Sequence, residues 1–161
     1  MTLIATPKST DANSLATLAQ ANLYHDARLH NTEWTSATDA KKEKALMMAT
    51  RLINGLDFLG DRTTTAQVLS WPRHRVYEDS LLLDHNTIPQ SIINATSELA
   101  FLLLIKDTTR DSGDKGFKSI KVGPIKIDPE SSDRSDTIPD SVMDYLRPFV
   151  GSAHMIGVVQ G

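Results

Sequence analysis

The sequence predicts a mainly α-helical fold: a bundle of about four to five helices, a short β-hairpin or ribbon, and extended N- and C-terminal arms. Two helical stripes carry the first part of this expectation. In "TDAKKEKALMMATRLINGL", Ala45, Ala49, Leu52 and Leu56 share one face, widened by Leu46 and Ile53. In "IPQSIINATSELAFLLLIK", Ile92, Leu99 and Leu103 do the same, with Ile93, Ala100 and Leu104 beside them. The third observation is a change of period. "FKSIKVGPIKID" alternates apolar residues with lysines and is broken by Gly123-Pro124, which suits two short strands.

The expected organisation is a single domain over residues 1–161. Residues 1–13 form an N-terminal arm, 14–106 the helical bundle, 107–137 a loop and β-ribbon, 138–150 a short helix and 151–161 a C-terminal tail. A chain of 161 residues with 40% hydrophobic content has enough apolar surface for one core.

Met1 to Asn13 has short apolar pieces, then Pro7 and polar residues, so it reads as an extended arm. Ser14 or Thr17 caps a first helix reaching to about Leu29, with Leu18, Ala21, Tyr24 and Ala27 on one face. Ser36 or Thr38 starts the next helix, Asp39 lies in its first turn, and Gly55 marks its end. Lys41, Lys42 and Lys44 near that N-terminus oppose the helix dipole; they form either a solvated turn or a patch facing an acidic partner.

"DRTTTAQVLSW" reads as a short helix closed by Pro72, because a residue preceding proline is pushed out of helical geometry. "RHRVYEDSLLLDHNT" reads as irregular. The long apolar helix follows, with Pro89 in its first turn, where a missing N–H costs nothing; it is placed at the centre of the bundle. After two polar loops flanking the ribbon, "IPDSVMDYLRPFV" gives a terminal helix begun by Pro139 and stopped near Pro148. The tail "GSAHMIGVVQG" is too apolar for an ordinary solvated end and too short to fold alone.

Composition excludes several chemistries. Without cysteine there is no disulfide, thiol catalysis or cysteine-based zinc site. Net charge of -3 argues against a protein that grips phosphates over its whole surface. The N-terminus lacks a signal-peptide pattern, and no apolar run reaches the roughly 18 residues of a membrane span. Nucleotide-cradling and serine-hydrolase motifs are missing. His25, His30, His74, His85 and His154 lack metal-ligand spacing. Asp107, Asp111 and Asp114 lack the calcium-loop pattern. No cofactor, metal or catalytic activity is expected.

One cluster remains open at this level. Trp71, Arg73, His74, Arg75 and Tyr77 combine cations with aromatic rings, the residue types on which single-stranded DNA stacks. The other reading has Trp71 packed between helices and Arg73 paired with a carboxylate or a helix end.

The order of motifs resembles a phage-encoded family labelled "DnaT-like single-stranded-DNA-binding", whose role is that of head–tail connector (adaptor) in tailed phages. The matching pieces are "DANSLATLAQANLYHDAR" (Asp11 to Arg28), "EWTSATDAKKEKALMMATRLINGL" (Glu33 to Leu56), "GDRTTTAQVLSWPR" (Gly60 to Arg73), "IPQSIINATSELAFLLL" (Ile88 to Leu104), "KSIKVGPIKID" (Lys118 to Asp128) and "DYLRPFV". They cover nearly the whole chain in order. Leu15 stands where the family often has Tyr, and the tail after Val150 extends beyond the pattern.

The resemblance implies a virion structural protein made in the host cytoplasm. It would form a homo-oligomeric ring of twelve copies, docked on the portal protein at the head–tail junction and meeting a downstream tail or neck protein. Double-stranded DNA would pass through its channel during ejection without sequence-specific binding. It also implies that Trp71 anchors a connection in the core, that Pro72 ends the short helix, and that Arg73 fixes the following loop. Candidate portal or neighbour contacts are Gly151, His154, Met155, Ile156, Val158 and Val159; candidate inter-subunit ribbon residues are Ile120, Val122, Ile125 and Ile127. The alternatives are a replication protein binding single-stranded DNA through Trp71, Arg73, Arg75 and Tyr77, and a non-virion assembly factor.

Overall fold

The computed structural model describes residues 1–110 and 137–151. The ribbon residues Ile120, Val122, Ile125 and Ile127 lie outside the described residues, as do His154, Met155, Ile156, Val158 and Val159 of the tail. Among the described residues, five α-helices pack together: α1 (Leu18–Asp26), α2 (Thr32–Ser36), α3 (Asp39–Asn54), α4 (Gln90–Ile105) and α5 (Asp140–Leu146), which a 3₁₀ turn, Arg147–Phe149, extends. Two small antiparallel sheets complete the fold: β1 (Asp61–Arg62) with β2 (Arg73–His74), and β3 (Tyr77–Glu78) with β4 (Leu81–Leu82).

Local chemistry sets the helix starts. Thr17 and Gln20 form a reciprocal capping box for α1, each side chain accepting the other's backbone N–H. Thr38 caps α3 by accepting from Lys41 N. Pro89 sits one position earlier than expected, as the N-cap of α4 rather than in its first turn. α4 is the central element, touching α1, α2, α3 and α5. Ile92, Ala95, Leu99 and Ala100 are fully buried along it, which follows from its apolar stripe.

The residues expected as an N-terminal arm fold back on themselves. Ile4 N donates to Asn13 Oδ1 at 2.7 Å, and Asn13 N returns to Ile4 O at 2.8 Å. Ala12 and Leu15 are buried, and Leu15 N donates to Thr50 Oγ1 on α3. A short loop that closes its own backbone groups and buries apolar side chains is docked structure, not a free arm.

The short helix expected over Asp61 to Trp71 does not form, so Pro72 ends no helix. Thr63, Thr64 and Thr65 are β-branched, and side chains capture the backbone in place of helical bonds. Gln67 Oε1 accepts from Thr64 N, Thr64 Oγ1 accepts from Gln67 N, and Gln67 Nε2 donates to the carbonyls of Leu69 and Pro72. The stretch after it, expected to be irregular, holds β2, β3 and β4. α2 is a further element that the expected set lacked.

At one end of the bundle His25 is fully buried, 4.2 Å from the Trp34 ring and 5.5 Å from Phe101. Its Nε2 donates to Ser97 O at 2.9 Å, while Nδ1 is buried without a partner. A carbonyl only accepts, so the ring is the neutral Nε2–H tautomer. Burial, reinforced by Arg28 and Lys42, holds its pKa down at about 4. The unfolded chain takes up this proton near pH 6.5 and the folded chain only near 4, so stability drops as pH falls through that window. The loss, complete once pH lies below the folded value, is on the order of 3 kcal/mol. We predict that His25→Phe is less stable at pH 7 but loses less stability than the natural chain between pH 6.5 and 4, measured by urea unfolding. Equal losses would contradict a titrating His25.

Candidate functional site

The basic–aromatic cluster and the cleft beside it hold the chemistry singled out in the sequence. Trp71 is 1% exposed. Its ring lies edge-on between Phe58, at 5.3 Å, and Phe149, at 5.4 Å. Its Nε1 is buried without an acceptor, and the Trp71–Pro72 peptide is cis. A side chain with both flanks covered offers no face on which a base can stack.

Arg73 is spent on backbone. Its Nε donates to Leu59 O at 2.7 Å, Nη1 to Ser70 O at 3.0 Å, and Nη2 to Phe58 O at 3.2 Å and Gly60 O at 2.7 Å. Neither a carboxylate nor a helix end takes it up; four loop carbonyls do. The planar guanidinium suits this, since its donors diverge in one plane. Burial and nearby Arg62 pull its pKa down, against the opposing effect of Asp61. Gly60 permits the close approach: it has φ +71, and a Cβ there would meet His74 O at 2.1 Å.

The rest of the cluster points elsewhere. Arg75, also at positive φ, pairs with Asp61. His74 stacks on His85 with ring centroids 4.3 Å apart. Tyr77 is 57% exposed on β3. The structure therefore divides the five residues between the core, a loop clasp and a surface hairpin.

An open cleft of about 410 Å³ runs beside the clasp, lined by Asp57, Asp61, Arg62, Val68 and Arg73 among others. Its charges are of both signs. Arg73 is committed as above and is not presented to an anion, whereas exposed Arg62 spends only Nη1, on Gln67 O. Among the described residues no group of three or more His, Cys, Asp or Glu side chains is placed to hold a metal.

The chain returns to this place at its other end. Leu59 N donates to Phe149 O at 2.8 Å, Phe58 bridges to Val150, and Gly151 N donates to Asp57 O at 2.7 Å. Gly151, the one described member of the tail contacts, thus lies against the Asp57–Leu59 loop.

Two features escaped sequence reasoning, and a third was seen only in part. The first is a polar knot joining α1, α4 and α5. Glu98 receives Arg28 through Nε and Nη2 at 3.2 and 2.8 Å, and the Tyr24 hydroxyl at 3.0 Å; the Tyr145 hydroxyl lies 3.1 Å from that of Tyr24. Burial, with these neighbours, raises the Tyr24 pKa well above the ordinary tyrosine value. The second is the β3–β4 hairpin. Asp79 and Ser80 both have positive φ, and Tyr77 pairs with Leu82 across it. Its signal was Val76-Tyr77 before and Leu81-Leu82 after Glu78-Asp79-Ser80, weak because Asp79-Ser80 is not the usual glycine-containing hairpin turn. The third is an exposed basic stripe on α3. Lys41, Lys44 and Arg51 lie on one face with half-buried Met48 among them.

Among the described residues no helix is long and apolar enough to cross a membrane. A family model described as "Putative DnaT-like ssDNA binding protein" matches residues 1–161. No curated protein and no solved structure is similar to the chain.

Proposed function

We propose, on the premise that the chain belongs to the DnaT-like ssDNA-binding family over residues 1–161, that it is a non-catalytic structural protein. In this reading it is the head–tail connector of a tailed phage, a twelve-membered ring between the portal and the next tail component. The ring continues the DNA channel without gripping DNA. The observation that carries this choice is the inward use of the tryptophan–proline–arginine segment. Trp71 and Arg73, the strongest DNA-binding candidates in the sequence, are consumed by core packing and by loop carbonyls. The connector role that the order of sequence motifs implies is the same reading.

Quantitative mass spectrometry of purified, DNA-filled particles tests it. A connector ring appears at near one-to-one ratio with the portal protein. Absence from the particle removes the connector and leaves the assembly factor or the second reading.

That second reading is single-stranded DNA binding, favoured by the family's own description. It requires a surface other than Trp71, and the exposed stripe of Lys41, Lys44 and Arg51 is the place for it. It requires oligonucleotide affinity that falls steeply with salt and weakens when these cations are neutralised.

A further inference from the structure

Two surfaces of this chain are complementary, and among the described residues no ion pair joins them within one copy. The first is the β3–β4 hairpin. Tyr77 and Leu82 stand opposite each other on one face, 57% and 63% exposed. Exposed Asp79 lies at the turn and exposed Asp84 follows β4. The hairpin is anchored beside its turn, where the Ser91 hydroxyl donates to Glu78 Oε1 at 2.6 Å, and at its base, where Leu83 N donates to Val76 O at 2.9 Å. Two-residue strands gain little stability alone, so an apolar pair held outward on this anchored hairpin is a feature for contact.

The second surface is the outer face of α3. Lys41, Lys44, Met48 and Arg51 follow one another at helical spacing, so an apolar side chain sits between cations. Lys41, Lys44 and Arg51 are exposed and enter no ion pair among the described residues, whereas Lys42 turns inward, 5.6 Å from the Trp34 ring, and bridges Asp39. The hairpin is tied to the first turn of α4 through Ser91. The start of α3 lies instead by Trp34 and His25, against Phe101, ten residues or about 15 Å further along α4. The hairpin is therefore tied toward one end of α4, and the start of α3, with Lys41 and Lys44, toward the other.

We propose that the hairpin of one copy seats on the α3 face of a second copy. Tyr77 and Leu82 cover Met48, and Asp79 and Asp84 face Lys44 and Arg51. The two patches differ, so the contact is heterologous, the kind that propagates from copy to copy and closes into a ring when the rotation permits. This rests on the ring reading above and names its interface.

Charge reversal on the full-length chain tests it by sedimentation at several salt concentrations, with circular dichroism confirming folding. All four substituted side chains are exposed. The natural chain self-associates, and salt weakens the association. Lys44→Glu with Arg51→Glu makes both patches acidic; Asp79→Lys with Asp84→Lys makes both basic. Each double variant alone associates at least about tenfold more weakly. An equimolar mixture of the two restores assembly, because each hairpin then meets an oppositely charged stripe. Unchanged association of either variant alone, a mixture that fails to assemble, or a natural chain that stays monomeric at every concentration overturns the interface. None of these outcomes alters the copy number in particles, so the ring reading stands or falls separately.

Discussion

Trp71→Ala is expected to destabilise the chain by about 4 kcal/mol, a large share of the roughly 5–15 kcal/mol that holds a domain folded. The ring is 1% exposed and wedged edge-on between Phe58 and Phe149. Truncation removes both aromatic contacts and leaves a cavity where three distant parts of the chain meet. Trp71→Phe should cost much less: it keeps an aromatic ring and deletes an indole N–H that has no buried acceptor. Urea midpoints for the two variants check this. The same residue discriminates between functions. A buried Trp71 gives fluorescence that is poorly quenched by acrylamide and indifferent to added oligonucleotide. Strong quenching in the free chain, together with a small cost for alanine, would place this side chain at the surface and reopen it as a stacking platform.

The second large effect is expected at Arg73. Arg73→Ala strips partners from the carbonyls of Phe58, Leu59, Gly60 and Ser70 at once, with an expected cost of about 3 kcal/mol. Arg73→Lys recovers little of this, because a single ammonium cannot span acceptors that the planar fork reaches together. The test is a lowered urea midpoint with an unchanged slope for both variants, lysine lying nearer to alanine than to arginine. A lysine variant as stable as the natural chain would mean that charge, not fork geometry, holds the loop. Loss of the clasp also frees the Asp57–Leu59 segment against which Phe149, Val150 and Gly151 pair.

The helices were legible because their determinants are local. Thr17 and Thr38 cap bonds made within three residues, and the stripes of α3 and α4 repeat at helical spacing. Sequence reasoning left Ser14 and Ser36 as rival caps. The difference lies in what else each side chain meets: Ser14 is buried and bonds Ala16 O, and Ser36 Oγ bonds Thr32 O inside α2. The segment from Asp61 to Trp71 misled because its helical spacing was real but uncontested in one dimension. In the fold, Gln67 and the threonines satisfy the backbone locally, and Asn54 fixes Ser70 from α3, with Asn54 Oδ1 accepting from Ser70 N at 2.6 Å.

The candidate site shows the same division more sharply. Residue types alone placed cations beside aromatic rings and could go no further, since a tryptophan next to arginines reads alike whether it faces solvent or core. What settles its environment lies far along the chain: Phe149 closes over Trp71 from the C-terminal side, and Phe58 from the loop before β1. The polar knot of Tyr24, Arg28, Glu98 and Tyr145 joins residues 70 to 121 positions apart, a separation at which no periodicity carries information.

By itself, then, the sequence determined the capped, striped helices, that one of them is apolar enough to be central, and that thiol chemistry is excluded. Only the tertiary structure decided that Trp71 and Arg73 face inward, that an apolar hairpin stands outward, and that its acids and the exposed α3 cations form no ion pair with each other among the described residues. The reason is one of range. Helix propensity, capping and stripe spacing act within a turn or two, whereas burial and electrostatic complementarity depend on which distant segments the folded chain brings together.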